Sequence, residues 1–81
     1  MTEAHGTNVE KLVRMANQIA TNFDYGDQGK AVAGMLEHVS MYWTLDMKRA
    51  IIEYSQGSGG GLSKIAGEVV TRLADKYGET A

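Results

Sequence analysis

The fold of this chain is decided by KLVRMANQIA, residues 11–20, and AVAGMLEHVSMYW, residues 31–43. Apolar residues in and around the first stretch recur at the 3.6-residue spacing that places them on one side of an α-helix. That side comprises Val9, Leu12, Val13, Ala16, Ile19, Ala20 and Phe23. Arg14, Asn17 and Gln18 fall outside it. The pattern therefore predicts an amphipathic first helix, over about residues 8–23, with one core-forming side.

A second helix is predicted from about Asp27 to Trp43, after the turn-forming segment DYGDQG. Its apolar side comprises Val32, Met35, Leu36, Val39, Tyr42 and Trp43. Thr44 follows at once and has the side chain of a helix N-cap, so a third helix is predicted over Leu45 to Gln56. Because no loop intervenes, we expect a tight corner between the second and third helices.

The other helix ends also carry signals. Thr7 and Glu10 have the spacing of a capping box at the start of the first helix. Residues 57–61, GSGGG, form a glycine-rich linker, and Ser63 can cap a fourth helix. One side of that helix comprises Ala66, Val69, Val70, Leu73 and Tyr77. We expect an all-α, single-domain bundle of about four helices over residues 1–81, with flexible ends at residues 1–6 and 78–81.

Length and composition fit one small domain. The 81 residues are 43% hydrophobic and include neither proline nor cysteine. A chain of this length buries only about 60 to 65% of the surface that its unfolded form exposes, so a second core will not fit. Without cysteine there is no disulfide or thiolate metal site. Stability must come from helix packing, from a partner, or from both.

Charge and hydropathy exclude several classes. The 8 basic and 10 acidic residues give a net charge of −2, which is neither the basic field of a nucleic-acid binder nor an acidic tail. The polar N-terminus lacks the features of an export signal. No apolar run approaches the roughly 20 residues of a membrane span. We expect a cytoplasmic protein with no nucleic-acid or membrane partner.

The second and third helices carry more apolar surface than one core needs. The outer side of the second presents Ala33, Gly34, Glu37 and Met41. It either docks a partner or is buried within the bundle. In the third helix, Met47, Ala50, Ile51 and Tyr54 are expected to face the core, and Leu45, Lys48, Arg49 and Ile52 to face outward. The outward set has the composition of an interface. The alternative is an ordinary solvated face, in which the stems of the lysine and the arginine cover the two aliphatic residues.

Candidate functional residues are therefore partner contacts. His38 is predicted to be a hydrogen-bonded boundary residue or a partner contact, because metal sites need three or four converging ligands. Asn17 and Gln18 could bond a partner's backbone or be solvated, and one ring of the Tyr42–Trp43 pair can leave the core. The predicted partner-binding residues are Arg14, Asn17, Gln18, His38, Met41, Trp43, Leu45, Lys48, Arg49 and Ile52. No catalytic, cofactor or metal site is predicted; GSGGGLSK lacks the glycine that a phosphate loop needs immediately before its lysine.

Four pieces of the sequence together resemble the delta subunit of soluble, NAD-dependent, molybdenum- or tungsten-containing formate dehydrogenases. KLVRMANQIA is similar to the opening motif of that family, and AVAGMLEHVSMYW to its segment that ends in histidine, three residues and an aromatic pair. MKR at 47–49 and GGGL at 59–62 stand where the family has a methionine flanked by basic residues and a glycine-rich entry to the last helix. The resemblance covers roughly residues 10–73. It departs at residues 44–46, TLD, where the family often has an acidic residue, a proline and a basic residue.

The resemblance implies a non-catalytic accessory subunit that supports assembly or stability of the catalytic alpha subunit. It implies that the alpha subunit holds a bis-pterin molybdenum or tungsten cofactor and iron–sulfur clusters. Beta and gamma subunits would carry FMN, further clusters and NAD reduction, and this chain would carry none of these groups. The alternatives are a small helical interaction module of another complex, an acyl carrier protein and a helix-turn-helix DNA binder. The last two are disfavoured because Ser63 follows leucine instead of aspartate, and no helix concentrates DNA-contacting residues.

Overall fold

The computed structural model describes residues 8–57 and 60–78. These residues form α1 (Val9–Phe23), α2 (Gln28–Tyr42), α3 (Leu45–Gly57) and α4 (Lys64–Leu73), and α4 continues into a turn of π-helix at Ala74–Gly78. The described part contains no strand, which confirms the all-α class. The ends predicted to be flexible lie outside the described residues, except Gly78, which closes the π-helical turn.

Each α-helix begins at a side chain that accepts a hydrogen bond from the backbone N–H three residues later. These N-caps are Asn8, Asp27, Thr44 and Ser63, with distances of 3.0 to 3.2 Å. The predicted caps of α3 and α4 are thus confirmed. The predicted cap of α1 is wrong, because Asn8 takes that place. Thr7, which was expected there, lies outside the described residues.

One core lies between the four helices. Its buried side chains are Leu12, Val13, Ala16, Ala20, Val32, Met35, Val39, Trp43, Ile51, Ile52, Ala66, Val69, Val70 and Leu73. α4 packs against all three of the other helices, and its predicted apolar side is confirmed, with Tyr77 packed against the core from the π-helical turn. In α2 the prediction is wrong for Tyr42, which is 67% exposed.

Trp43 produces the corner between α2 and α3. Its backbone is extended, with φ −85° and ψ 140°, and this conformation ends α2. Its ring is buried in the core at 6% exposure. Thr44 then caps α3 directly, with its Oγ1 accepting from Met47 N at 3.2 Å. The chain therefore changes direction within two residues, and the corner is confirmed.

α1 and α2 approach closely at Gly34. A Cβ atom on Gly34 would lie 2.8 Å from Cδ1 of Phe23, closer than van der Waals contact allows. Of the two alternatives for the outer side of α2, Gly34 therefore fits burial within the chain, because its missing side chain makes room for a ring of the same chain. Ala33 beside it is exposed. No helix in the described ranges is long and apolar enough to cross a bilayer.

Candidate partner-binding surface

Large exposed apolar side chains concentrate at the corner between α2 and α3. Met41 and Tyr42, in the last turn of α2, are each 67% exposed, and Leu45, the first residue of α3, is 47% exposed. We call these three residues the corner patch. Tyr25, at 81% exposure in the turn between α1 and α2, lies outside it. Exposed large apolar side chains that lie close together in the chain make this corner the candidate interaction site.

An aromatic row supports the exposed ring of Tyr42. His38 is half-buried, and its ring centroid lies 4.8 Å from that of Tyr42 and 6.0 Å from that of Phe23. The three rings are tilted against each other, which is a favourable arrangement for aromatic pairs. The boundary position predicted for His38 is confirmed, but the predicted hydrogen bond is not seen within the described residues, where the imidazole contacts the rings of Phe23 and Tyr42. The ring of Tyr42 is therefore largely exposed but is supported on one side by the ring of His38.

Lys48 points inward, contrary to the expectation that it faces outward. It is only 7% exposed, and its Nζ donates to the backbone oxygen of Ser40 at 2.8 Å. Ser40 lies in the last turn of α2, where backbone carbonyls have no donor within the helix. The ammonium satisfies one of them and lies at the negative end of the helix dipole. Lys48 therefore caps α2 from α3.

Tyr77 completes this polar cluster from the π-helical turn. Lys48 Nζ lies 4.7 Å from the centroid of the Tyr77 ring, within reach of a cation–π interaction. Burial acts to raise the pKa of Tyr77, but the hydrogen-bonding Lys48 and the charges of Lys48 and Lys76 outweigh it, so the net shift of that pKa is downward. The hydroxyl oxygen of Ser40 is buried nearby and has no hydrogen-bond partner among the described residues.

Trp43 and Ile52, which were predicted to contact a partner, are core residues. Each is 6% exposed, and both belong to the buried cluster. The expectation that Ile52 lies on the outer side of α3 is therefore wrong. Both side chains are already packed within the chain, so they have little surface left to offer.

The whole of α3 is rotated relative to the prediction. Lys48, Ile51 and Ile52 are its buried residues. Met47, Ala50 and Tyr54, which were expected to form the core side with Ile51, are only partly buried. Leu45 and Arg49 are exposed, as predicted. This orientation buries Ile52 in the core and places the Lys48 cation where it reaches the end of α2.

Asn17 holds the glycine-rich segment that leads into α4. Its Nδ2 donates to the backbone oxygen of Gly61 at 2.7 Å, and its Oδ1 accepts from Ser63 N at 2.8 Å. Gly61 has φ +91°, a left-handed conformation that favours glycine. The phenol of Tyr54 donates to the neighbouring Gly60 carbonyl. Asn17 was expected to bond the backbone of a partner, but it bonds the backbone of its own chain.

The other three predicted residues are exposed and lie on two helices. Arg49 lies on α3 one turn beyond Leu45, so it extends the corner patch with a cation. Arg14 and Gln18 are on the outer side of α1. Within residues 8–57 and 60–78, none of the three side chains takes part in a hydrogen bond or an ion pair. The structure thus gathers His38, Met41, Leu45 and Arg49 at the corner and places Arg14 and Gln18 elsewhere.

Tyr42 is the residue of this surface that the sequence prediction missed. The available signal was the adjacent pair Tyr42–Trp43 at a helix end, where only one ring can enter the core. Which ring enters depends on the extended backbone of Trp43, and spacing alone does not specify that backbone. The missed assignment matters because tyrosine is among the residues that contribute most to binding energy at interfaces.

A second surface feature is an open groove of about 520 Å³ between the end of α3 and the outer side of α4. Its lining mixes Leu62, Gly67 and Ala74 with Lys64, Glu68, Thr71 and Asp75. None of the predicted partner-binding residues lines it. Across the described ranges, no group of three or more histidine, aspartate or glutamate side chains could hold a metal ion. The corner patch is therefore the stronger candidate site.

The fold and this surface define an all-α bundle with an exposed apolar corner. A family model described as "NADH-dependant formate dehydrogenase delta subunit FdsD" matches residues 11–70 of the 81. The chain therefore belongs to the FdsD family, which confirms the resemblance found in the sequence. No curated protein and no solved structure matched in the corresponding searches.

Proposed function

We propose that this chain is a non-catalytic accessory subunit of an NADH-dependent formate dehydrogenase complex that supports assembly or stability of the catalytic alpha subunit. The observation that carries the proposal is the family match over residues 11–70. The corner patch supports it, because a small domain that acts by binding needs a surface of this kind. The alpha subunit is its proposed direct partner.

The composition of the corner patch suits docking. Tyrosine and methionine are enriched at interfaces, and the flexible thioether of Met41 adapts to irregular partner surfaces. Fully burying an apolar side chain contributes about 1.5 to 3 kcal/mol, so completing the burial of each partly exposed patch residue would gain on the order of 1 to 2 kcal/mol. Arg49 adds a cation at the rim that a partner carboxylate could meet.

The patch is also ordered before binding. The ring of Tyr42 packs on His38, and the corner that carries the patch is fixed by the buried ring of Trp43 and by the cap at Thr44. Side chains that are already ordered lose less conformational entropy on association, so more of the contact energy remains as affinity. A rigid corner is thus a better docking element than a flexible tail of the same composition.

We propose that the redox groups of the complex belong to its other subunits. Iron–sulfur clusters are held by cysteine thiolates, and this chain has no cysteine. The bis-pterin molybdenum or tungsten cofactor would lie in the alpha subunit, and FMN in the beta and gamma subunits with NAD reduction. The contribution of this chain would be structural, and a cytoplasmic location is part of the same proposal.

The direct test is co-expression of the alpha, beta and gamma subunits with and without this chain, tagged for capture. We expect the tagged chain to capture the alpha subunit and to raise the yield of formate-dependent NADH formation. The yield of folded alpha subunit separates a role in stability from a role in cofactor insertion. Equal yield and equal activity without the chain, together with no capture, would contradict the proposal.

A further inference from the structure

One internal hydrogen bond closes the corner patch. It joins Lys48 Nζ to the backbone oxygen of Ser40 at 2.8 Å, and all three patch residues lie between these two positions. Met41 and Tyr42 follow Ser40 directly, and Leu45 precedes Lys48 by one helical turn. The bond therefore fixes the end of α2 relative to the start of α3, which sets how the patch residues are placed against one another.

The charge of Lys48 has no counter-ion within the described residues. No carboxylate there lies within ion-pair distance of its Nζ, and the side chain is 7% exposed. A buried ammonium without a counter-ion is costly, and an apolar side chain of similar length would fill the same space without that cost. Its compensation comes from the carbonyl at the end of α2 and from the face of Tyr77.

We propose that Lys48 is the positioning residue of the corner patch, holding its two helices in the arrangement that docks the partner without itself touching that partner. Tyr77 makes the C-terminal π-helical turn part of the same support, because its ring centroid lies 4.7 Å from the ammonium. This inference rests on the proposed function, since it concerns the surface that the proposal assigns to docking.

The experiment compares affinity for the alpha subunit with thermal stability in the full chain. Lys48→Met retains most of the side-chain volume and removes the charge and the donor. The control is Val13→Ala, a buried residue of α1 that lies beside Gly61, near the start of α4. We expect Lys48→Met to weaken binding at least tenfold, about 1.4 kcal/mol. Val13→Ala should lower the melting temperature about as much as Lys48→Met does, but it should change binding by less than about twofold. The reason is that substitutions at sites that share no contacts act independently.

A double-mutant cycle separates positioning from a general structural role. If Lys48 acts through the patch, Lys48→Met should cost far less affinity in a Tyr42→Ala, Leu45→Ala background than in the wild-type background. Additive losses would overturn the inference, as would equal losses for Lys48→Met and Val13→Ala. Should Lys48→Met not fold, Tyr77→Leu provides a second comparison, because it removes the ring contact with Lys48 and keeps an apolar side chain against the core. If the wild-type chain captures no alpha subunit, it is the proposed function that fails.

Discussion

Single polar side chains join distant parts of this small chain. Asn17 bonds the backbone at Gly61 and Ser63, and Lys48 bonds the backbone at Ser40. In both cases a side chain satisfies backbone groups at a helix end or in the approach to one, where they have no partner of their own. The four sequence pieces that carry the family resemblance are thereby connected in pairs. Asn17 joins residues 11–20 to residues 59–62, and Lys48 joins residues 47–49 to residues 31–43. This pairing gives a physical reason for the pieces to occur together.

Asn17→Ala should destabilise the chain by about 1 to 3 kcal/mol, because it removes two hydrogen bonds and leaves the Gly61 carbonyl and the Ser63 N–H without their partner. Urea unfolding followed by circular dichroism measures the difference. Gln18→Ala is the matched control, since that neighbouring amide is exposed and makes no side-chain hydrogen bond within the described ranges. It should change stability by no more than about 0.5 kcal/mol. Equal effects of the two substitutions would contradict the role of Asn17.

The pKa of Tyr77 should rise in Lys48→Met. In the folded chain burial raises that pKa, while the hydrogen bond and charge of Lys48 lower it, so removing the lysine leaves the raising effect in place. A pH titration of the tyrosine ring carbons by NMR measures the shift. Lys76→Met should raise the pKa less, because Lys76 Nζ lies 5.7 Å from the ring centroid. An unchanged pKa in Lys48→Met would mean that the ammonium does not lie over the ring in solution.

Ile52→Asp should unfold the chain, and Leu45→Asp should not. The side chain of Ile52 is 6% exposed and that of Leu45 is 47% exposed, although both belong to the same predicted outer side of α3. A buried carboxylate without a partner costs several kcal/mol, which is comparable to the stability of a small domain. Circular dichroism at increasing temperature distinguishes them. If Ile52→Asp folds, that result would contradict the burial of Ile52 and would support its predicted position on the outward side of α3.

Helices with one clear apolar side could be predicted from the sequence, and helices with two could not. In α1 and α4 the apolar residues form a single stripe, and all of them except Val9 are buried or packed against the core. In α3 the predicted core-facing and outward-facing sides are nearly equal in apolar content, so the spacing of apolar residues does not show which side is buried. The observed orientation is accompanied by burial of Ile52 in the core and by the contacts of Lys48 with Ser40 in α2 and with Tyr77 after α4. These contacts depend on how three elements pack, which local periodicity does not record.

The hydrogen bonds of Asn17 were beyond prediction for a related reason. They join residues that are 44 and 46 positions apart in the sequence. The chemistry of an amide showed that Asn17 would bond a backbone, but only the packing of α4 beside α1 identifies which backbone. The position of His38 at the edge of the core could be predicted, because it follows from the register of α2 alone.

Replacement by alanine should have opposite effects on stability at two helical glycines, Gly67 and Gly34. Gly67 lies inside α4, and a Cβ there would meet nothing within 4 Å. Gly67→Ala should therefore stabilise the isolated chain by about 0.5 to 1 kcal/mol through helix propensity. Gly34→Ala should destabilise it, because its Cβ would lie 2.8 Å from a ring atom of Phe23. Thermal unfolding of both variants tests this, and a stabilising Gly34→Ala would contradict the close packing of α1 on α2.

At the scale of the whole molecule, the described residues form a core between four helices and leave an apolar corner exposed. Met41, Tyr42 and Leu45 are largely exposed, whereas the large apolar side chains Val69 and Leu73 of α4 are fully buried. A domain of this size has little stability to spare, so binding a partner at the corner should raise its melting temperature by mass action. The chain belongs to a family of formate dehydrogenase delta subunits, which implies membership in a formate dehydrogenase complex.

The central claim is that the corner patch docks the catalytic subunit, and a matched pair of tyrosines tests it most directly. Tyr42 belongs to the patch and Tyr25 does not, yet both are strongly exposed, at 67% and 81%. The measurement is the affinity of purified Tyr42→Asp and Tyr25→Asp chains for the alpha subunit, after circular dichroism shows that both are folded. We predict that Tyr42→Asp loses at least about 2 kcal/mol of binding free energy, as a hot-spot tyrosine would, and that Tyr25→Asp binds like the wild type. Wild-type affinity in Tyr42→Asp, or an equal loss in both variants, would contradict the account.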